Sequence, residues 1–567
     1  MKTESTTPNG MPTGFTSNSN SLGLRLALYA LWGIGLLLSA QFTELLDDEA
    51  YYWVYSQNLA LGYHDHPPLV AWTIYLGYSL FKSELGVRLV MLLFHLGTLR
   101  LLEHIIQPKS ILFFFSVCLS ITAFQFSGFW AVPDTPFLFS VVFFLFMSKK
   151  YYFNPNWFHA LGLGFAAAFV LYSKYHGALL ILSMLVFGYK MLFRPSFYLA
   201  VLLAVALYLP HFVWLIDNNF PTLVYHFGYR NSNPYQLSQT LTFLGGQWLL
   251  WGPVIGTLLI SRSWKKTAPD FLNQVFSRTG VFIYLFLFLF TFFGHVEGNW
   301  ALAAFPVLLI SNFKVWENSA LSKKIVFRGL WISLPLLILG RLVMVFDFLP
   351  FKINFLNQLY HQKQWTLELK KAADGRPVVF MNSYQKASKY LFYAQAEAST
   401  TSNVMGRKSQ FDLLNTHEGW YGKEVLTQIN WPSKELDSIQ IEGLGQFYFR
   451  IDTAFWYFPK TEVVPIELPK NWQAGQEKMI ELKIDRGDQI QFGHPPLWDV
   501  SYSIFQHSNR VLHKRFTEHW NPLLKSSKVV IPVAMPLEPG SYQIIFSVEK
   551  KWYPAGINGS RFNVIVQ

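Results

Sequence analysis

The chain repeatedly presents stretches of about 20 residues that contain no Asp, Glu, Lys or Arg; Ile111–Trp130 and Phe197–Ile216 are two of them. A stretch of that length crosses roughly 30 Å of hydrocarbon as an α-helix, the one open-chain conformation that pairs all its own backbone polar groups in lipid. Composition agrees. Soluble domains carry about a quarter charged residues, whereas these 567 residues are 14% charged, 51% hydrophobic and 18% aromatic. The expectation is a polytopic α-helical membrane protein with about 11 transmembrane helices. The spans are Leu22–Phe42, Leu85–Ile106, Ser110–Trp130, Thr135–Met147, Trp157–Ser173, Gly177–Phe193, Phe197–Ile216, Leu241–Ile260, Thr279–Phe293, Trp300–Phe313 and Val326–Phe346.

Charge orients these spans. With the N-terminus inside, the inside loops hold Arg100, Lys109, Lys149, Lys150, Lys190, Arg194, Arg262, Lys265, Lys266, Arg278, Lys314, Lys323, Lys324 and Arg328. The outside loops between spans hold Lys82, Lys174 and Arg230. This is the asymmetry of the positive-inside rule. It accounts for the net charge of +12 without a nucleic-acid partner. Residues 1–21 are polar and read as a disordered cytoplasmic tail, and the first span reads as an uncleaved anchor. Cys118 is the single cysteine, so neither an intrachain disulfide nor a cysteine metal site can form.

An odd number of spans places everything after about Asp347 outside. Residues 348–430 read as an α/β domain: helix at Gln364–Ala373, strand at Arg376–Met381, helix at Tyr384–Ala394. Residues 431–567 read as a β-rich, sandwich-like domain, with Lys528–Met535 and Ser541–Glu549 as strands joined by a Pro-Gly turn. The loop Thr43–Glu84 reads as two helices in the outer membrane interface, inside a catalytic unit that spans 22–347. Arg341 and Asp347 read as a pair at the end of the last span.

The unusual polar clusters all fall on the outer side. They are DDEAYYW (Asp47–Trp53), GYHDHPP (Gly62–Pro68), VPDTP (Val132–Pro136), SKYHG (Ser173–Gly177), the loop Asp217–Asn231, and GHVEGNW (Gly294–Trp300). Ionisable groups at membrane depth or lining a cavity are candidates for function. Each has a plainer reading. Asp47 or Asp48 can cap a helix, as can Asp134 between its two prolines. Lys174 can snorkel to the interface, Arg230 can be a solvated loop charge, and Trp300 can belong to the aromatic belt. His64, Asp65 and His66, with His176 or His295, have the side chains of a metal site.

Taken together, the acidic start of the first outer loop, His-Pro-Pro, Pro-Asp-x-Pro and Glu-x-Asn-Trp resemble the GT-C glycosyltransferases. The resemblance points in particular to the protein O-mannosyltransferases and the bacterial aminoarabinose transferases of lipid A. It covers roughly Asp47–Phe346, with a weaker match in Asn382–Leu414. It implies an inverting enzyme that moves a sugar from a polyprenyl-phosphate carrier to an acceptor hydroxyl on a protein, lipid or glycan, without metal or other cofactor. It assigns Asp48 as base with Glu49 orienting it, Asp47 being the alternative if the register shifts, and Asp134 as site organiser. His66 then faces the lipid phosphate where the aminoarabinose transferases carry a lysine. Lys174 and Arg230 are further phosphate candidates, and Tyr52, Asp65, His176, Glu297 and Asn299 line the sugar or acceptor pocket. The implied location is a bacterial inner membrane, among membrane lipids, with the C-terminal domain in the periplasm. A secondary transporter and a non-catalytic membrane scaffold are the competing readings. Transporters place charges near the midplane and often show repeats, whereas here the charges lie in loops on one face.

Overall fold

A computed structural model describes residues 22–224, 235–262, 270–351, 353–414, 416–442, 444–487, 490 and 493–567. The expected tail 1–21, Arg230, Lys265 and Lys266 lie outside the described residues.

The N-terminal part is helical. In chain order it runs α1 (Leu22–Phe42), α2 (Asp47–Gln57), α3 (Leu69–Leu80), α4 (Glu84–Ile106), α5 (Ile111–Leu119), α6 (Thr122–Phe126), α7 (Asp134–Phe153), α8 (Trp157–Ser173) and α9 (Gly177–Phe187). It continues through α10 (Pro195–Asp217), α11 (Pro221–Val224), α12 (Leu237–Trp251), α13 (Pro253–Arg262), α14 (Phe271–Phe290), α15 (Ala304–Glu317) and α16 (Ala320–Val345). A helix lies at each expected span. Among the described residues, five are long and apolar enough to cross a membrane: α1, α4, α10, α14 and α16. The α12–α13 pair makes six if counted as one broken span, bent by 108°. Gly252 sits at that bend with φ 79°, and a Cβ there would lie 2.1 Å from the Ser120 carbonyl oxygen. Only glycine accepts both constraints.

Other spans differ from the sequence reading for local reasons. Ser110–Trp130 breaks after Leu119, where the Ser116 and Ser120 hydroxyls bond the carbonyls of Leu112 and Ser116 in competition with the helix ladder. α7 continues past Met147 to Phe153, with Lys149 Nζ donating to the Ile105 carbonyl (2.8 Å) and Lys150 lying over the Phe146 ring. α14 begins at Phe271, capped by Asp270, so Arg278 is helical rather than in a loop. Arg341 does not pair with Asp347. It turns inward to the Gly35 carbonyl (2.5 Å) and Ser39 Oγ (2.8 Å), while Asp347 meets His361.

The basic loops gather at one end of the bundle. Lys109 reaches Asn318, Lys314 reaches the Gln107 carbonyl, Arg194 reaches the Tyr151 and Tyr152 carbonyls, and Lys190 lies over Phe271. The α2–α3 loop and the N-terminal end of α7 lie at the opposite end.

After α16, a linker leads to α17 (Gln362–Ala373), β1 (Val378–Met381), α18 (Tyr384–Ala394), β2 (Ala398–Thr401), β3 (Val425–Ile429), β4 (Asp437–Ile441) and β5 (Gly445–Asp452). These strands form one sheet of order β2-β1-β3-β5-β4, parallel from β2 to β3 and antiparallel beyond. The α/β domain therefore runs past the expected boundary at 431, because β5 zips onto β3 from Val425↔Asp452 to Ile429↔Tyr448. The remainder holds β6 (Glu462–Pro465), β7 (Asn471–Trp472), β8 (Glu477–Asp485), β9 (Trp498–Gln506), β10 (Asn509–Trp520), β11 (Ser526–Ala534), β12 (Gly540–Glu549) and β13 (Phe562–Val566). Two sheets, β10-β9-β12-β13-β7 and β11-β8-β6, enclose a core that includes Ile480, Leu482, Tyr502, Ile504, Ile531 and Phe546. The Pro-Gly turn joins β11 to β12 across the sandwich rather than as a hairpin, since β11 pairs with β8 and β12 with β9.

The α/β domain sits on the first loop. α18 packs against α2, which is buried along Glu49–Ser56. α2 is thus enclosed by protein, not laid on lipid. α3 has the two-sided character expected of an interfacial helix, with Val70, Ala71 and Ile74 buried and Tyr75, Leu76 and Leu80 exposed.

Candidate active site

The first turn of α2 carries three acids, where the helix dipole favours negative charge. The fold gives each a different fate. Glu49 is fully buried and salt-bridged to fully buried Arg88 of α4, Oε1 to Nε at 2.7 Å and Oε2 to Nη2 at 2.5 Å. It also accepts the backbone N–H groups of Leu46 (2.9 Å) and Ala131 (2.8 Å). Arg88 spends its other donors on Ala40, Thr43 and Glu44. Glu49 is a joint between α2, α4 and the loop that leads to Asp134, and it has no face on a cavity. Asp47 pairs with Lys389 of α18, Oδ1 to Nζ at 2.6 Å.

Asp48 has no hydrogen-bond or ion-pair partner among the described residues. Its side chain keeps exposed surface, yet protein crowds it on most sides, as for a group on the wall of a recess. That crowding pushes its carboxyl up to about 6, with the Asp47 charge adding to the effect; Asp65 and Asp134 add a little, and Arg407 opposes.

Asp65 sits nearby and is saturated. It accepts from Tyr51 (3.0 Å) and Tyr55 (3.1 Å), meets His64 Nδ1 at 3.3 Å, and takes Arg407 Nη1 at 2.5 Å from the α/β domain. Burial alone would raise its carboxyl, but the charges of His64 and Arg407 outweigh that and hold it well below the usual carboxylate range. The N–H of His64 is held by Gln410 Oε1 (2.9 Å), and the Gln410 N–H by the Tyr51 hydroxyl (2.6 Å).

The third acid comes from another loop. Asp134 opens α7 after Pro133 but caps nothing with its side chain. Instead Oδ1 takes buried Lys174 Nζ at 2.7 Å and Oδ2 takes Asn299 Nδ2 at 3.2 Å. One carboxylate so ties together the loops after the third, fifth and ninth expected spans. The His66 ring packs edge-on to Tyr52, centroids 5.5 Å apart, and the Tyr52 phenol is raised well above its ordinary value by burial and then by Asp48. His176 packs 4.7 Å from the Trp300 ring, and Glu297 stands 3.3 Å from His295, both half-exposed. His64 and Asp65 are spent on each other and on Arg407. Among the described residues no group of three His, Cys, Asp or Glu is placed to hold a metal.

The structure therefore brings Asp48, Asp65, His66, Tyr52 and Asp134 into one neighbourhood, with Lys174 and Asn299 behind Asp134. Sequence reasoning missed Arg88, Lys389, Tyr384, Arg407 and Gln410. Arg88 was findable, as a charge inside an expected span near its outer end. Tyr384, Arg407 and Gln410 all fall within Asn382–Leu414, the stretch of the weaker resemblance.

Residues 65–214 match the family model described as dolichyl-phosphate-mannose-protein mannosyltransferase. The lipid A galacturonosyltransferase RgtD of Rhizobium johnstonii is 45% identical over 53 residues, 9% of this chain and 11% of that protein's length. Two crystal structures of ArnT from Cupriavidus metallidurans superpose at 12% identity. The apo form gives a TM-score of 0.56, covering 75% of this chain and 97% of ArnT; the form bound to undecaprenyl phosphate gives 0.53, covering 76% and 98%. The chain shares the fold of ArnT, a GT-C fold.

Proposed function

We propose that this chain is an inverting glycosyltransferase that moves a sugar from a polyprenyl-phosphate carrier to an acceptor hydroxyl on the extracytoplasmic face of a membrane. The observation that carries the reading is the state of Asp48: among the described residues it is the acid of its cluster without a hydrogen-bond or ion-pair partner, beside acids that are each tied down. A general base needs a free lone pair facing the reacting space and an affinity for protons near the working pH. Asp48 takes the acceptor's proton as the acceptor oxygen bonds to the anomeric carbon. The carbon–oxygen bond to phosphate breaks with its electron pair leaving on the phosphate, and the configuration inverts.

The other residues divide the remaining tasks. Glu49 positions α2 through Arg88. Asp134, held by Lys174 and Asn299, organises the opposite wall, and Lys174 acts through that carboxylate. His66 faces the carrier phosphate; Arg230, the other loop candidate for this role, lies outside the described residues. Tyr52, Asp65, His176 and Glu297 line the sugar or acceptor pocket. No metal or cofactor takes part in this step.

An apolar cavity of about 470 Å³ among α7, α8, α9 and α10, lined in part by Leu163, Leu171, Ile181, Ala204, Tyr208 and Phe212, suits a prenyl tail. The presence of undecaprenyl phosphate in ArnT supports the same donor class here. The gathering of the basic loops at the end of the bundle opposite the site, which the positive-inside rule makes the cytoplasmic end, supports a periplasmic site and C-terminal domains at a bacterial inner membrane. The acceptor is a protein, lipid or glycan.

The test is transfer by the purified protein from a polyprenyl-phosphate sugar, followed by mass spectrometry of surface glycans and glycolipids in a deletion strain. Loss of one sugar, restored by the wild-type chain and not by Asp48→Asn, is the expected result. Unchanged glycans in the deletion strain, with no transfer by the purified protein, would overturn it.

A further inference from the structure

Tyr384 is the first residue of α18, and its ring lies 4.3 Å from that of Tyr51, on the side of the α/β domain that faces α2. Its hydroxyl oxygen accepts a hydrogen bond from Arg407 Nη2 at 2.7 Å, and the guanidinium also lies over its ring, 4.7 Å from the centroid. The hydroxyl hydrogen, in contrast, reaches no acceptor among the described residues. A phenol whose oxygen already takes a charged donor is a strengthened donor itself. Burial, opposed by Arg407 and helped by Asp48 and Asp65, pushes the phenol up to about 12, so it keeps its proton at neutral pH. Both Asp48 and Tyr52 are within its electrostatic reach.

We propose that Tyr384 donates its hydroxyl hydrogen to an anionic oxygen of the substrate, so that the C-terminal α/β domain supplies a substrate-touching group to the site. This rests on the transferase reading. The partner oxygen belongs to the carrier's phosphate or to an acidic group on the acceptor; the two share the same chemistry and separate in the test. Arg407 is the positioning residue, holding Tyr384 with one nitrogen and Asp65 with another.

The variant is Tyr384→Phe, which keeps the ring and its packing on Tyr51. Loss of one preorganised donor lowers the rate by about 10²-fold with an unchanged unfolding temperature. Weaker binding of a short-chain polyprenyl phosphate to the variant assigns the oxygen to the carrier. Unchanged binding with a raised KM for the acceptor assigns it to the acceptor. Arg407→Lys, which keeps a charged donor, should retain more activity than Arg407→Gln. If the wild type transfers sugar and Tyr384→Phe matches it in both constants, the inference falls while the transferase reading stands. If the wild type transfers no sugar, the reading itself falls.

Discussion

Lys389 Nζ lies 2.6 Å from Asp47 Oδ1, and the same ammonium donates to the Gln358 carbonyl (2.7 Å) and Gln362 Oε1 (2.9 Å). This contact crosses from the α/β domain to the first turn of α2. It commits Asp47 to holding the two domains together and leaves its neighbour Asp48 as the acid able to take a proton.

Asp48→Asn is therefore expected to lower sugar transfer by about 10²- to 10⁴-fold, while Asp47→Asn retains measurable transfer. Removing a carboxylate that burial and Asp47 disfavour should leave the unfolding temperature at pH 7.5 unchanged or higher. Initial rates and thermal unfolding in detergent check both; an active Asp48→Asn beside an inactive, well-folded Asp47→Asn reverses the assignment.

The pH dependence follows from the same carboxyl, raised from 3.8 to about 6. The base must be ionised, so the rate should climb with pH through a limb centred near 6. Stability runs the other way: this group's contribution is fully present below about pH 4 and is lost as pH rises through about 6. A kcat/KM profile lacking that acidic limb argues against Asp48 as base.

Glu49 and Arg88 face each other with no solvent exposure. Glu49→Gln or Arg88→Met leaves its partner charged in the interior and should cost about 3–5 kcal/mol. The double variant should lose less than the two singles together. Unfolding curves test this; a Glu49→Gln protein of wild-type stability excludes the joint.

For Lys174 and Asp134, a double-mutant cycle in transfer rate separates two roles. If Lys174 acts through Asp134, the Lys174→Met, Asp134→Asn pair is no slower than the worse single variant. Fully additive losses would instead mean that Lys174 contacts the phosphate independently.

His66→Ala should raise the KM for the carrier, and His66→Lys, which places a cation at the same position, should restore part of it. Identical constants in wild type, Ala and Lys reject His66 as a phosphate ligand.

The helices were legible because lipid imposes a one-dimensional rule: long charge-free stretches and basic loops can be read residue by residue. The pairing of Asp134 with Lys174, over 40 residues, could not be read that way, nor could that of Asp65 with Arg407, over 342. Asp134 and Lys174 each have a plain local explanation, as a cap and as a snorkelling lysine, and only their 2.7 Å contact replaces both. The bend at Gly252 was likewise hidden, because it depends on the Ser120 carbonyl approaching from elsewhere in the chain.

By itself the sequence determined that the chain belongs in a membrane, which loops carry polar chemistry, and that a β-rich region follows the helices. These are local consequences of the cost of burying charge and exposing apolar surface. The tertiary structure decided which of three consecutive acids is left without a side-chain partner among the described residues, because Lys389 and Arg88, which hold the other two, come from distant parts of the chain. It also decided that the C-terminal domain closes over the first loop, an arrangement fixed by buried contacts of α18 with α2 that leave no local pattern.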